Sequence, residues 1–215
     1  MLKIIYEDKN KIIVDKPAGQ LSQSGKSFDM DIVSEVLNYR RSKGEEAYAA
    51  IINRLDRPVS GLVLLAKNKK EAARLSELMK SDTFDKRYIA LVKGRPEKEK
   101  GHFTDFLVKD GKSNMSRVAE EKDKDAKRAE LEYELIDYDE VKDVSRVLIH
   151  LLTGRHHQIR VQFASRNFPL VGDGKYGLEE ASKKAEELGL KRGTIALCSV
   201  GLSVDGKMYE TEPDF

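Results

Sequence analysis

Two stretches set ionic side chains beside glycine and long apolar runs. The first is Arg54-Leu55-Asp56-Arg57, directly ahead of Ser60-Gly61-Leu62-Val63-Leu64-Leu65-Ala66. Desolvating a charge is costly unless it is paired, so an aspartate at the mouth of a buried strand needs a cation. A carboxylate held ionised in that way can serve as nucleophile or base. The second stretch is Thr153-Gly154-Arg155-His156-His157-Gln158-Ile159-Arg160. Arginines 155, 160 and 166 and two histidines occur there with no acid between Leu151 and Arg166. A loop that feeds a helix at this point combines basic side chains with open backbone N–H groups, which suits an anion. An aspartate ending one strand and an arginine ending another can meet in a cleft, and such a pair keeps Asp56 charged.

Other chemistries fit less well. An Asp–Arg pair can be purely structural. Neighbouring histidines on a helix point about 100° apart, and no Cys or His cluster adds further ligands, so no metal site is expected. Asp15 and Asp56 resemble the paired acids of a glycosidase in type, but nothing in the sequence brings them together. There is no GxSxG, no Walker-type loop and no GxGxxG. Tyr88 opens a strand, where packing alone explains an aromatic.

The elements that must position these groups follow from periodicity. Ile4-Ile5-Tyr6 and Ile12-Ile13-Val14 read as a hairpin, ended by the Pro17–Gly19 turn of "DKPAGQ". Ile32, Val33, Val36 and Leu37 recur at helical spacing between Asp29 and Arg41. Asn68 is an N-cap for a helix carrying Ala72, Ala73, Leu75, Leu78 and Met79. Tyr88–Val92, Glu132–Tyr138 and Ser145–Leu151 read as strands. The charged segment 119–130 reads as a solvated loop, and Gly94–Gly101 as a polar turn. A helix starts near His157, a polar and exposed one runs from Ala181 to Leu188, and a hairpin around Asp205-Gly206 closes the chain. Strands in pairs with irregular helices indicate an α+β fold.

A chain of 215 residues can bury a core without disulfides or metal. Its 39 basic and 37 acidic residues nearly cancel, so any nucleic-acid contact must come from local patches. A lone cysteine, Cys198, fits a reducing compartment. The N-terminus meets charges too early for a signal peptide, and no apolar run reaches the roughly 20 residues of a membrane span. The expectation is a soluble, cytoplasmic, monomeric protein of one domain, residues 1–215, with no membrane contact.

In this order, the two stretches resemble the motifs of the RluA-type family of RNA pseudouridine synthases. "NRLDRPVSGLVLLAK" resembles that family's H-R-L-D-R-x-T-S-G-L-L-L-x-A-K, and "TGRHHQIR" its T-G-R-x-H-Q-I-R. "IIVDKPAGQ" resembles its K-P-x-G turn, "DKRYIALVKG" its K-x-Y-x-A-x-V-x-G strand, "LVGDGKYG" its G-D-x-x-Y-G loop and "IALCSVGLSV" its closing A-L-H-A strand. Asn53, Pro58-Val59 and Cys198 depart from the family pattern, beside the motif cores and without removing a chemical group. The resemblance spans residues 4 to 204 and implies the pseudouridine synthase fold: a mixed, largely antiparallel sheet in two halves flanked by helices, with a central active-site cleft.

It also implies roles. Asp56 falls on the essential catalytic aspartate, Arg155 on its arginine partner, and Tyr88 on the tyrosine that stacks on the target base. Arg54 falls on the arginine that displaces the flipped nucleotide. Leu197 is expected as part of the apolar wall around the base. Arg57, His156, Gln158 and Arg160 are expected on the RNA, with Arg40 and Arg41 as further phosphate contacts. The implied activity is isomerisation of uridine to pseudouridine in ribosomal or transfer RNA, without cofactor or metal. An RNA-binding protein of the same fold with lost or secondary catalysis is the alternative, and a nucleoside glycosidase a weaker one. No S4-like domain is expected ahead of Ile4, which leaves substrate choice to this domain and its charged segment near 119–128.

Overall fold

The computed structural model describes residues 2–24, 30–81 and 83–215, leaving out the side chain of residue 178. In chain order the elements are β1 (Lys3–Glu7), β2 (Lys11–Lys16), α1 (Ile32–Ser42), β3 (Ala50–Ile51), β4 (Ser60–Ala66) and α2 (Lys69–Leu78). There follow β5 (Lys86–Lys93), β6 (Lys100–Asp110), β7 (Met115–Ala119), β8 (Lys127–Asp139) and β9 (Val144–Leu151). The chain ends with α3 (Gln158–Ala164), α4 (Leu178–Glu187), β10 (Leu197–Val204) and β11 (Lys207–Glu210). These form two compact units, Met1–Asp85 with Cys198–Asp214, and Lys86–Leu197 with Phe215.

In the first unit the strands run β1-β2-β4-β10, with β11 on β10 and β3 on β4. The β1–β2 turn closes because Asp8 Oδ1 accepts from the amides of Asn10 and Lys11. β2 is antiparallel to β4, whereas β4 and β10 pair in parallel at Ser60–Cys198 and Gly61–Ser199. Every residue of β4 is buried, the pattern of a strand covered on both faces. Gly61 is required by that parallel contact: its φ is +110°, and a Cβ there would stand 2.3 Å from the Ser199 carbonyl oxygen. α2 starts on the Asn68 side-chain cap that its sequence predicts, and α1 starts at Ile32 on a cap from Asp31. Asp29, where the sequence starts the first helix, lies outside the described residues. Leu75 of α2 joins Ile13, Leu62, Leu64, Phe84, Leu202, Val204 and Tyr209 in one core.

In the second unit the order is β5-β9-β8-β6-β7, antiparallel throughout. Its inner face carries Phe103, Leu107, Ala129, Leu131 and Tyr133, all buried. Phe163 of α3 seats against it, with ring centroids 5.1 Å from Phe103 and 5.7 Å from Tyr133. The charged segment is a loop only to residue 126; Lys127–Glu130 already belong to β8, paired with β6. α4 is less exposed than its composition suggests, since Ala181 and Ala185 are buried. Ala185 packs with Val144, Val171 and Ala196. Among the described residues no helix is long and apolar enough to cross a membrane.

Candidate active site

The 52–59 loop joins β3 to β4 in the first unit, and its backbone is tied at each step. The Asn53 amide donates to the Leu62 carbonyl (3.0 Å) and accepts from the Leu64 N–H (2.7 Å), serving the ladder of β4 in place of a strand. Leu55 N–H donates to Ser22 Oγ, and that hydroxyl donates back to the Leu55 carbonyl at 2.8 Å. The Arg57 carbonyl accepts from Gly19 N–H at 2.7 Å, while Arg57 Nε donates to the Gly19 carbonyl at 2.9 Å. Val59 N–H closes the turn on the Asp56 carbonyl. Both flanks of Asp56 are therefore fixed. Its side chain is half-buried, between the exposed Arg54 and Arg57.

Beneath this loop lies a cation that the sequence shows only as the end of a strand. Lys16 is 0% exposed, and its ammonium donates to the carbonyls of Pro17 (3.0 Å), Gln20 (2.8 Å) and Arg57 (3.3 Å). Burial pushes its pKa down to about 8, and the negative charge of Asp56, then Asp15 and Asp214, acts against that fall. Asp56 thus has a positive partner in its own unit. The only sequence signal for it is a lysine closing an apolar strand just before Pro-x-Gly. Cys198, where the family pattern has histidine, is buried, and burial pushes its thiol up to about 11, so it is no thiolate nucleophile.

In the second unit, Lys86, Tyr88, Ala90 and Val92 alternate onto the buried face of β5. Tyr88 is 6% exposed and pairs across to Ile149. The Thr153–Arg155 loop comes up against the start of this strand: a Cβ on Gly154 would lie 3.7 Å from Lys86 Nζ. Gln158 holds the loop in shape. Its Oε1 accepts from Thr153 Oγ1 (2.7 Å) and Arg155 N–H (3.0 Å), and its Nε2 donates to the Glu130 carbonyl at 2.9 Å.

Three of the expected RNA contacts are placed differently. Gln158 is buried and occupied with the loop itself. Arg160 is buried and forms a two-pronged ion pair with Asp173, at 2.7 and 2.9 Å. Arg40 is buried too, donating to the Lys67 carbonyl and pairing with Glu45. These groups lie on inward faces of short helices, where they tie loops to the core. Arg155 and Arg41 are exposed, and Arg155 Nε donates to the Arg128 carbonyl at 2.8 Å. His156 is half-buried, and Leu197 is buried at the start of β10. Among the described residues no cluster of His, Cys, Asp and Glu is suited to a metal ion.

Comparison with known proteins adds independent findings. Residues 10–165 match the family model described as RNA pseudouridylate synthase. The chain is 35% identical over 210 residues to ribosomal large subunit pseudouridine synthase D of Borreliella burgdorferi, covering 95% of this chain and 61% of that protein. It is 31% identical to ribosomal large subunit pseudouridine synthase C of Rickettsia conorii, covering 98% of this chain and 68% of that one. The chain spans about three fifths of the length of the first relatives it matches. Among solved structures, human RNA pseudouridylate synthase domain containing 1 superposes with a TM-score of 0.77 at 22% identity, over 100% of this chain and 84% of that one. Human RNA pseudouridylate synthase domain containing 4 gives 0.78 at 20% identity, over 98% and 88%. The fold is the one the motifs implied.

Proposed function

The chain belongs to the RNA pseudouridylate synthase family, and on that premise we propose that it isomerises uridine to pseudouridine in structured RNA, ribosomal RNA foremost. The observation that carries this is Asp56: a half-buried carboxylate on a loop fixed at both flanks, over a buried ammonium. The family motifs support it through Tyr88 and Arg155, both present at the matching positions.

The reaction breaks C1′–N1, turns the base over, forms C1′–C5 and releases the C5 proton, while N1 gains one. No redox change or phosphate energy enters, so the proposed reaction uses no cofactor or metal. A carboxylate facing the ribose can attack C1′ or take a proton at C2′; both are open to Asp56. The target nucleotide must leave its stack first, and Arg54, exposed two residues away, fills the space it vacates. Tyr88 and Leu197 are the residues proposed for the freed base, and the family motif assigns Arg155 to the catalytic carboxylate. Arg57, Arg155 and His156 meet phosphates, which makes binding salt-dependent. Both units act as one catalytic domain of a cytoplasmic monomer.

The test incubates the protein with ribosomal RNA fragments and reads pseudouridine by carbodiimide-dependent primer-extension stops. Wild type is expected to produce stops and Asp56→Asn to bind RNA without producing them. Binding with no stops from wild type would mean an RNA-binding protein of this fold, and release of free uracil would mean hydrolysis; either defeats the proposal.

A further inference from the structure

A cluster beside the Thr153–Arg155 loop enters the mechanism above only through His156. His156, at the position the T-G-R-x-H motif leaves open, stacks on His157 with ring centroids 3.7 Å apart and planes 26° from parallel. His157 has φ 54°, and among the described residues it alone adopts positive φ without being glycine, asparagine or aspartate. Stacked imidazoles on a left-handed backbone need outside support.

Ser116, buried in β7, and Tyr176, in the loop after α3, supply it. The Ser116 N–H donates to Tyr176 Oη at 2.7 Å, and that oxygen stands 2.8 Å from His157 Nδ1. The Tyr176 hydroxyl thus bridges the Ser116 amide, which can only donate, and the His157 ring. Ser116 Oγ donates to the His156 carbonyl at 2.8 Å and lies 2.9 Å from His156 Nδ1. With its single proton on the carbonyl, Oγ accepts there, so His156 carries its proton on Nδ1. Tyr176 is itself fixed, because Asp173 Oδ1 accepts from its N–H and the Arg160 guanidinium lies 5.2 Å from its ring centroid.

We propose that Ser116 is a positioning residue: it sets the tautomer of His156, with Tyr176 it orients both rings, and through His156 it places the Arg155–His156 segment for RNA. This rests on the proposed function, in which that segment meets the substrate. β7 thereby becomes a support of the site rather than only an edge strand.

Two measurements on the full chain test it. In ¹⁵N-histidine spectra at about pH 8, above the ordinary imidazole range near 6.5, wild type is expected to show His156 as an Nδ1–H ring. Ser116→Ala should turn His156 to the Nε2–H form, and Tyr176→Phe should release His157. In kinetics, Ser116→Ala should raise KM for RNA about fivefold, the scale of one hydrogen bond, with kcat within about twofold. Ser116→Thr should recover KM, and Ser116→Ala should add nothing in a His156→Ala background. Unchanged tautomers, or equal KM effects in both backgrounds, overturn the inference. Should wild type make no pseudouridine, the proposed function fails while the spectra still decide this relay.

Discussion

Asp56 alters what Lys16 can do. The carboxylate limits how far burial lowers the lysine, which stays at about 8. Lys16 is therefore charged below about pH 8 and neutral above it. We expect an alkaline fall in kcat/KM with an apparent pKa near 8, and Lys16→Met should lose both that limb and roughly 10- to 100-fold in rate, as expected when a preorganised charge is removed. Stability moves the other way. The folded value lies below the ordinary 10.5, so between about pH 8 and 10.5 the unfolded chain holds a proton that the folded one does not. Denaturant melts should show wild type gaining stability over Lys16→Met across that window, and losing the gain as pH falls through 8. Asp56 is legible in the sequence because a charge before an unbroken apolar run calls for an explanation. Lys16 is not, since a lysine closing a strand reads as solvated. The burial of Gln158 and Arg160 is hidden for a related reason: α3 is so short and enclosed that nearly all its residues are buried, and residue type alone does not distinguish an RNA contact from a loop tie.

At the scale of elements, the local rules held where one face of a segment sets its pattern. The β1–β2 hairpin, the cap of α2 and the Asp205-Gly206 turn follow from a few residues each. β6 and β7 escaped notice because charges interrupt their alternation. Leu107 and Ser116 turn inward while Arg117 and Val118 are exposed. The pairing of β6 with β8, and of β7 with β6, is what makes them strands. β4 is the element on which the Asp56 loop depends, and its approach to β10 leaves no room for a side chain at Gly61. Gly61→Ala combines a backbone penalty with a clash against main chain, and we expect about 3 kcal/mol of destabilisation. Equilibrium urea unfolding checks this; a change under about 0.5 kcal/mol, the range of a neutral surface substitution, would contradict the packing described.

For the whole molecule, the decisive feature is that the first unit is discontinuous. The chain leaves it at Asp85 and returns at Cys198 to add β10 and β11, with Leu202, Val204 and Tyr209 entering its core. Sequence periodicity reveals β4 and β10 but not that residues 60 and 198 pair, because that contact depends on what folds between them. Truncation after Leu197 should therefore abolish the cooperative melt of residues 1–85 rather than trim a tail, as limited proteolysis would show by early cleavage there. The central claim is that Asp56 drives isomerisation of uridine within RNA, and the most direct measurement is tritium release from RNA labelled at uridine C5. Wild type should release one tritium for each pseudouridine formed and Asp56→Asn none. Release by Asp56→Asn at the wild-type rate, or pseudouridine formed by the variant, would contradict it.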